Sequence, residues 1–144
     1  MSFRLSKYQL EKYSRQIILK DVGALGQKKI IKSKVLIVGM GGLGCPVAEF
    51  LTRAGVGSLG IIDPDIVSLS NIHRQSLFDF RDINKSKVLA SKVKLRTINS
   101  KTRVNCYKTK LNKKNCAKLI KKYDYIIDGS DNFETKFLIN DFCK

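Results

Sequence analysis

Apolar and polar positions alternate along this chain with two different periods. Lys34-Val35-Leu36-Ile37-Val38 is a short, nearly continuous apolar run that ends in glycines. Such a run predicts a parallel strand buried on both faces. Val47, Phe50, Leu51 and Ala54 then fall at i, i+3, i+4 and i+7, one face of a helix. Leu59-Gly60-Ile61-Ile62-Asp63 reads as a second strand, and residues 85–98 as a helix, with Leu89 and Val93 four apart and Val88 and Leu95 seven apart. Val104 and Cys106 alternate with polar neighbours, as suits a strand at a sheet edge. Residues 112–122 read as a helix, Tyr125-Ile126-Ile127-Asp128 as a fourth strand and residues 132–142 as a closing helix. Two helices, over 7–18 and 24–32, precede the first strand.

The order βαβαβαβα predicts the α/β class, a parallel sheet with helices on both faces. A Rossmann-like, doubly wound strand order of 3-2-1-4 satisfies the handedness of the crossovers. The chain divides into an N-terminal helical arm, 1–33, and the α/β domain, 34–144. Ligands of such sheets bind beyond the carboxyl ends of the strands. Chemistry is therefore sought after strands one, two and four.

Composition narrows the field further. No apolar run reaches the roughly 18 residues of a membrane span. The first seven residues carry no apolar signal region, so the expected location is the cytoplasm. Among 144 residues, 28 are Lys or Arg and 12 are Asp or Glu, a net charge of +16. The charge is mostly lysine and no basic block exceeds two residues, which reads as solvated faces rather than a nucleic-acid surface. Cys45, Cys106, Cys116 and Cys143 form no CxxC pair, so no zinc site is expected and the thiols read as free.

Gly39-Met40-Gly41-Gly42-Leu43-Gly44 follows strand one and opens a helix. Glycines there let the backbone turn and approach a phosphate, and the helix N-terminus offers free N–H groups. Close helix–strand packing without a ligand is the plain alternative. Asp63 ends strand two, 19 residues beyond Gly44, where a carboxylate accepts from ribose hydroxyls. Asp63-Pro64-Asp65 is equally turn chemistry. To this point NAD and ATP fit alike.

Ser70-Asn71-Ile72-His73-Arg74-Gln75, Lys87 and Gly129-Ser130-Asp131-Asn132 separate the two. Hydride transfer has no use for Asn, Arg and Lys gathered with a new Asp at the phosphate end. Phosphoryl or nucleotidyl transfer does: cations neutralise charge on phosphate oxygens and a carboxylate holds Mg²⁺. Singly, Arg74 and Lys87 read as surface charges, and Asp131 as a helix cap completed by Glu134. His73, the one histidine, reads as a hydrogen-bonded structural residue.

Together with Tyr13-Ser14-Arg15-Gln16 and Ala54-Gly55-Val56-Gly57, these blocks resemble the ThiF/MoeB/HesA-type adenylyltransferase family, related to ubiquitin-activating enzymes. The resemblance runs from about Tyr8 to Cys143. It implies an ATP-dependent adenylyltransferase that activates the C-terminal Gly-Gly carboxylate of a ubiquitin-like sulfur-carrier protein, of the molybdopterin or thiazole (thiamine) biosynthesis type, and releases pyrophosphate. By resemblance, the loop glycines Gly39, Gly41, Gly42 and Gly44 contact the nucleotide and Asp63 its ribose. The block Ser70, Asn71, Ile72, His73 and Arg74, with Lys87, lies along the phosphates. Asp131 holds Mg²⁺ with Asn132 beside it, and Arg15 reaches the partner's ATP across a homodimer. The family's second half, with its CxxC pairs and reactive cysteine, has no counterpart in this sequence, which reads as the ATP-binding half. Two alternatives remain open: a non-catalytic nucleotide- or partner-binding fragment, and an NAD-binding oxidoreductase domain.

Overall fold

The structure, a computed structural model, describes residues 4–143. The described residues form a four-stranded parallel sheet of β1 (Lys34–Val38), β2 (Ser58–Ile62), β3 (Arg103–Tyr107) and β4 (Tyr125–Asp128). The order is β3-β2-β1-β4, as the alternation of elements predicts. Each pairing is parallel, with Ile37 opposite both Ile61 and Ile127. Helices α1 (Lys7–Lys12), α2 (Ser14–Ile17) and α3 (Gly23–Lys32) precede the sheet. Helices α4 (Gly44–Ala54), α5 (Lys87–Ile98), α6 (Cys116–Ile120) and α7 (Phe133–Phe142) cover it.

The strand period of two sorts β1 between two cores. Val35 and Ile37 join Leu59, Ile61 and Val104 under Cys45 and Ala48 of α4 and Val88 and Leu95 of α5. Leu36 and Val38 join Ile62 under Cys116 and Leu119 of α6 and Ile139 of α7. The central strand is thus apolar at every buried position because both of its faces are covered.

Several expected details differ. The helix over 7–18 is broken at Tyr13, whose side chain is buried against Gly55 and whose hydroxyl accepts a bond from Asn99 Nδ2 at 3.2 Å. Seating that ring in the core outweighs helix continuity. The helix over 112–122 shortens to α6. Asn112 and Asn115 spend residues 112–115 in reciprocal side-chain-to-backbone bonds, a turn that competes with the helix. On α5 the buried face is Val88, Ser91 and Leu95, whereas Leu89 and Val93 are exposed. On α4 the buried residues are Cys45, Ala48 and Thr52, and Phe50 is exposed. The arm is tied to the end of α4 by polar contacts: Gln16 and the fully buried Gln27 both donate to the Ala54 carbonyl.

Candidate functional site

The carboxyl ends of β1, β2 and β4 open into one cleft of about 480 Å³, within the size range of small-molecule sites. Its floor is the glycine loop. Gly39 has φ +92°, and a Cβ there would sit 2.8 Å from the carbonyl oxygen of Gly129. At Gly44 a Cβ would overlap the carbonyl oxygen of Gly39. These two glycines hold the loop against β4 and the start of α4. Gly41 and Gly42 border open space, with the aliphatic stem of Arg74 over Gly42. No side chain caps α4, but its first turn has little left for an anion: Cys45 N donates to the Gly41 carbonyl at 3.0 Å and Pro46 has no N–H.

Asp63 is buried and makes the turn that is the plain reading of its position. One carboxylate oxygen accepts from Met40 N at 2.7 Å, clamping the glycine loop to the end of β2. The other accepts from Asp65 N at 2.8 Å, closing the Asp-Pro-Asp turn. The carboxylate still borders the cleft. Lys87 stands at the start of α5 with its side chain only 8% exposed, and its Nζ is 3.0 Å from Asp65 Oδ2. The backbone N–H of Lys87 also donates to the Asp65 carbonyl, so the loop after β2 carries this cation into the cleft. Arg74 is positioned by the turn at Asn71–Gln75 and by a bond from Nη1 to the Ser70 carbonyl at 3.0 Å.

After β4, Ser130 donates from both its backbone and its hydroxyl to Asp128 Oδ1, at 2.9 and 2.6 Å. Lys136 binds the other oxygen at 3.1 Å. Burial pushes the Asp128 carboxyl up, but Ser130 and Lys136 outweigh it and hold it below its ordinary value. The turn so fixed presents Asp131 and Asn132 to the cleft. Asn132, not Asp131, caps α7 by accepting from Thr135 N at 2.9 Å. The capping-box reading of Asp131 and Glu134 is therefore corrected, and the exposed Asp131 carboxylate is left facing the cleft.

Gly39, Gly41, Gly42, Asp63, Asn71, Arg74, Lys87, Asp131 and Asn132 line the cleft. Gly44 packs behind the loop. Ser70, Ile72 and His73 do not line it, and Ser70 contributes through its carbonyl. His73 is exposed and lies 3.4 Å from Arg74 Nη1, so it braces no core. Arg15 is exposed on α2, away from the cleft walls. Sequence reasoning passed over Asp65, read only as a turn residue, and Gln75. Gln75 is buried in the cleft wall, and its side-chain carbonyl has no hydrogen-bond partner among the described residues.

Cys45 is no candidate nucleophile. Burial pushes its thiol up to about 12, and the thiolate is the reactive form. Thiol labelling of the native chain at neutral pH is expected to reach the exposed Cys143 first and to leave Cys45 unmodified until the chain unfolds. Modification of Cys45 at the rate of Cys143 would contradict this packing. Among the described residues, no three His, Cys, Asp or Glu side chains form a metal-binding cluster. No described helix is long and apolar enough to cross a membrane.

The chain is similar to known proteins in sequence and in fold. The chain is 41% identical over 138 residues to a sulfur carrier protein adenylyltransferase of Thermus thermophilus, covering 96% of this chain and 51% of that protein. It is 44% identical over 140 residues to the adenylyltransferase and sulfurtransferase MOCS3 of Drosophila persimilis, covering 97% and 31%. The chain thus spans about half, or a third, of the length of these relatives. Among solved structures, E. coli tRNA N6-threonylcarbamoyladenosine dehydratase, TcdA, in complex with AMP superposes with a TM-score of 0.90 at 26% identity, over 99% of this chain and 58% of that one. Residues 13–144 match the ThiF family, and with a cleft that joins the glycine loop, Arg74, Lys87 and Asp131, the chain belongs to that family.

Proposed function

We propose that this cleft binds ATP and transfers its adenylyl group to the C-terminal Gly-Gly carboxylate of a ubiquitin-like sulfur-carrier protein, releasing pyrophosphate. One observation carries the reading: three cations (Arg74, Lys87 and Lys110), the exposed carboxylate of Asp131 and an open glycine loop meet in one cleft. The names of the relatives and the AMP held by the E. coli neighbour point the same way.

The cleft suits a nucleotide. Gly41 and Gly42 leave room for phosphates, and Asp63, which borders the cleft, would accept from ribose hydroxyls. Arg74 and Lys87 would neutralise phosphate charge as pyrophosphate departs, and Asn71 would donate a hydrogen bond to it. In-line attack of the carboxylate on the α-phosphorus forms the acyl–phosphate bond as the bond to pyrophosphate breaks. It needs no enzyme nucleophile, so orientation and charge do the catalysis. Mg²⁺ suits a site with one free carboxylate, because it completes its shell with phosphate and water oxygens; Asp131, beside Asn132, would hold it, and it would supply further charge neutralisation. Arg15, outside its own cleft wall, would serve the cleft of a second copy in a homodimer.

Calorimetric titration tests the nucleotide assignment. ATP with Mg²⁺ is expected to bind and NAD is not; binding of NAD alone would replace this reading with an oxidoreductase. In an assembly with the carrier, Asp131→Ala is expected to lower ATP–pyrophosphate exchange about 100-fold or more. Undiminished exchange in that variant would remove Asp131 from the metal.

A further inference from the structure

The fifteen residues 108–122 contain seven lysines and no carboxylate, a third of the chain's lysines in about a tenth of its length. The structure places them along one crossover, from the end of β3 through α6 to the start of β4. Leu111, Cys116 and Leu119 anchor the segment in the core beneath the sheet, and all seven lysines are exposed. Among the described residues only Lys110 of the seven is in an ion pair, with Glu134 at 3.1 Å. Thr109, Lys110 and Leu111 are themselves part of the cleft wall, so this lysine face begins at the mouth of the candidate site.

A second copy of a chain with net charge +16 would be repelled from such a face. Single-stranded nucleic acid would be expected to find arginine forks or exposed rings for stacking. The segment has no arginine and no aromatic ring of its own; Tyr107 and Tyr123 beside it are half-buried with their hydroxyls bonded to each other at 2.9 Å, and only Tyr125, at the start of β4, presents an exposed ring nearby in the chain. Compact, hydrated ammonium groups suit the scattered carboxylates of a protein surface, where they steer encounter and set orientation.

We propose that residues 108–122 form the docking face for an acidic surface of the protein whose C-terminal carboxylate enters the cleft. The proposal rests on the adenylyltransferase reading above for the identity of that carboxylate. It places the partner's body beside α6 and leaves its tail to pass Lys110 into the cleft.

The test is fluorescence anisotropy at low and physiological salt with three labelled probes. One is an Asp- and Glu-rich peptide ending in Gly-Gly, one a neutral peptide of the same length and ending, and one an oligouridine of matched charge. The chain variants are Lys113→Glu/Lys114→Glu/Lys118→Glu and a control, Lys20→Glu/Lys29→Glu/Lys101→Glu, which changes net charge equally at exposed lysines elsewhere. The acidic peptide is expected to bind at least about tenfold more tightly than the neutral one. It should lose about tenfold in the first variant and less than about threefold in the control. Equal losses in both variants would reduce the effect to bulk charge and overturn the proposal. So would oligouridine that outbinds the acidic peptide and depends on the same three lysines. ATP titration of the same preparations separates the two readings. If nucleotide fails to bind while the peptide pattern holds, the adenylyltransferase reading falls and the acidic-protein face stands.

Discussion

Lys87→Ala is expected to lower ATP–pyrophosphate exchange by about 10²–10³-fold, the loss typical when a preorganised group that stabilises developing charge is removed. The Lys87 ammonium is brought to the cleft by a short path: β2 ends, Asp63 turns the chain, and Asp65 holds both the backbone and the side chain of Lys87. Asp65 is itself 63% exposed, so it stays hydrated when the lysine is gone. The stability cost is then that of a buried aliphatic stem, not of a stranded buried charge. Lys87→Met separates the two effects. It keeps the aliphatic stem and removes the charge, so exchange should fall as far as in the alanine variant. Thermal unfolding should shift by no more than about 4 °C, which corresponds to about 1 kcal/mol for a chain of this size. Exchange at the wild-type rate in Lys87→Met would show that this cation takes no part in the chemistry.

Gly44→Ala is expected to be the most destabilising of the loop substitutions, by about 3 kcal/mol. The added methyl would occupy the position of the Gly39 carbonyl oxygen, and backbone cannot move aside as a flexible side chain can. Gly39 in turn is in contact with Gly129, so a shift in the loop reaches β4. Gly41→Ala meets nothing closer than Gln75 Nε2 at 4.0 Å, and Gly42→Ala meets the Arg74 stem at 3.6 Å. Those two variants should unfold within about 0.5 kcal/mol of the wild type, with any loss appearing in nucleotide affinity. Urea unfolding of the three variants in parallel checks the division. Equal stability of all three would mean that Gly44 does not pack as the structure places it.

Much of the site was legible in the sequence because its residues follow strand ends, and parallel strands deliver their carboxyl ends to one side. Arg74, Lys87 and Asp131 are far apart in the chain, yet each follows a strand that ends at the cleft. What stayed hidden depends on contacts made across the fold. Asp65 looks like turn punctuation until Lys87 is beside it. Asp131 looks like a cap until Asn132 is seen accepting from Thr135. The exposed Leu89, Val93 and Phe50 misled the apolar pattern because a helix packed on a sheet buries the small and polar residues closest to it, here Ala48, Thr52 and Ser91.

The sequence by itself determined the class of fold, the strand order and the end of the sheet where the cleft opens. Strand periodicity and the glycines after β1 are local properties, and local properties need no neighbour to be read. Only the tertiary structure decided where α1 breaks at Tyr13, which carboxylate holds Lys87, and which of the four loop glycines pack and which stay open. It also left the lysines of 108–122 exposed along a crossover whose start, Thr109–Leu111, lines the cleft. Each of these is settled by which atoms meet across the fold, a relation that spacing along the chain does not encode.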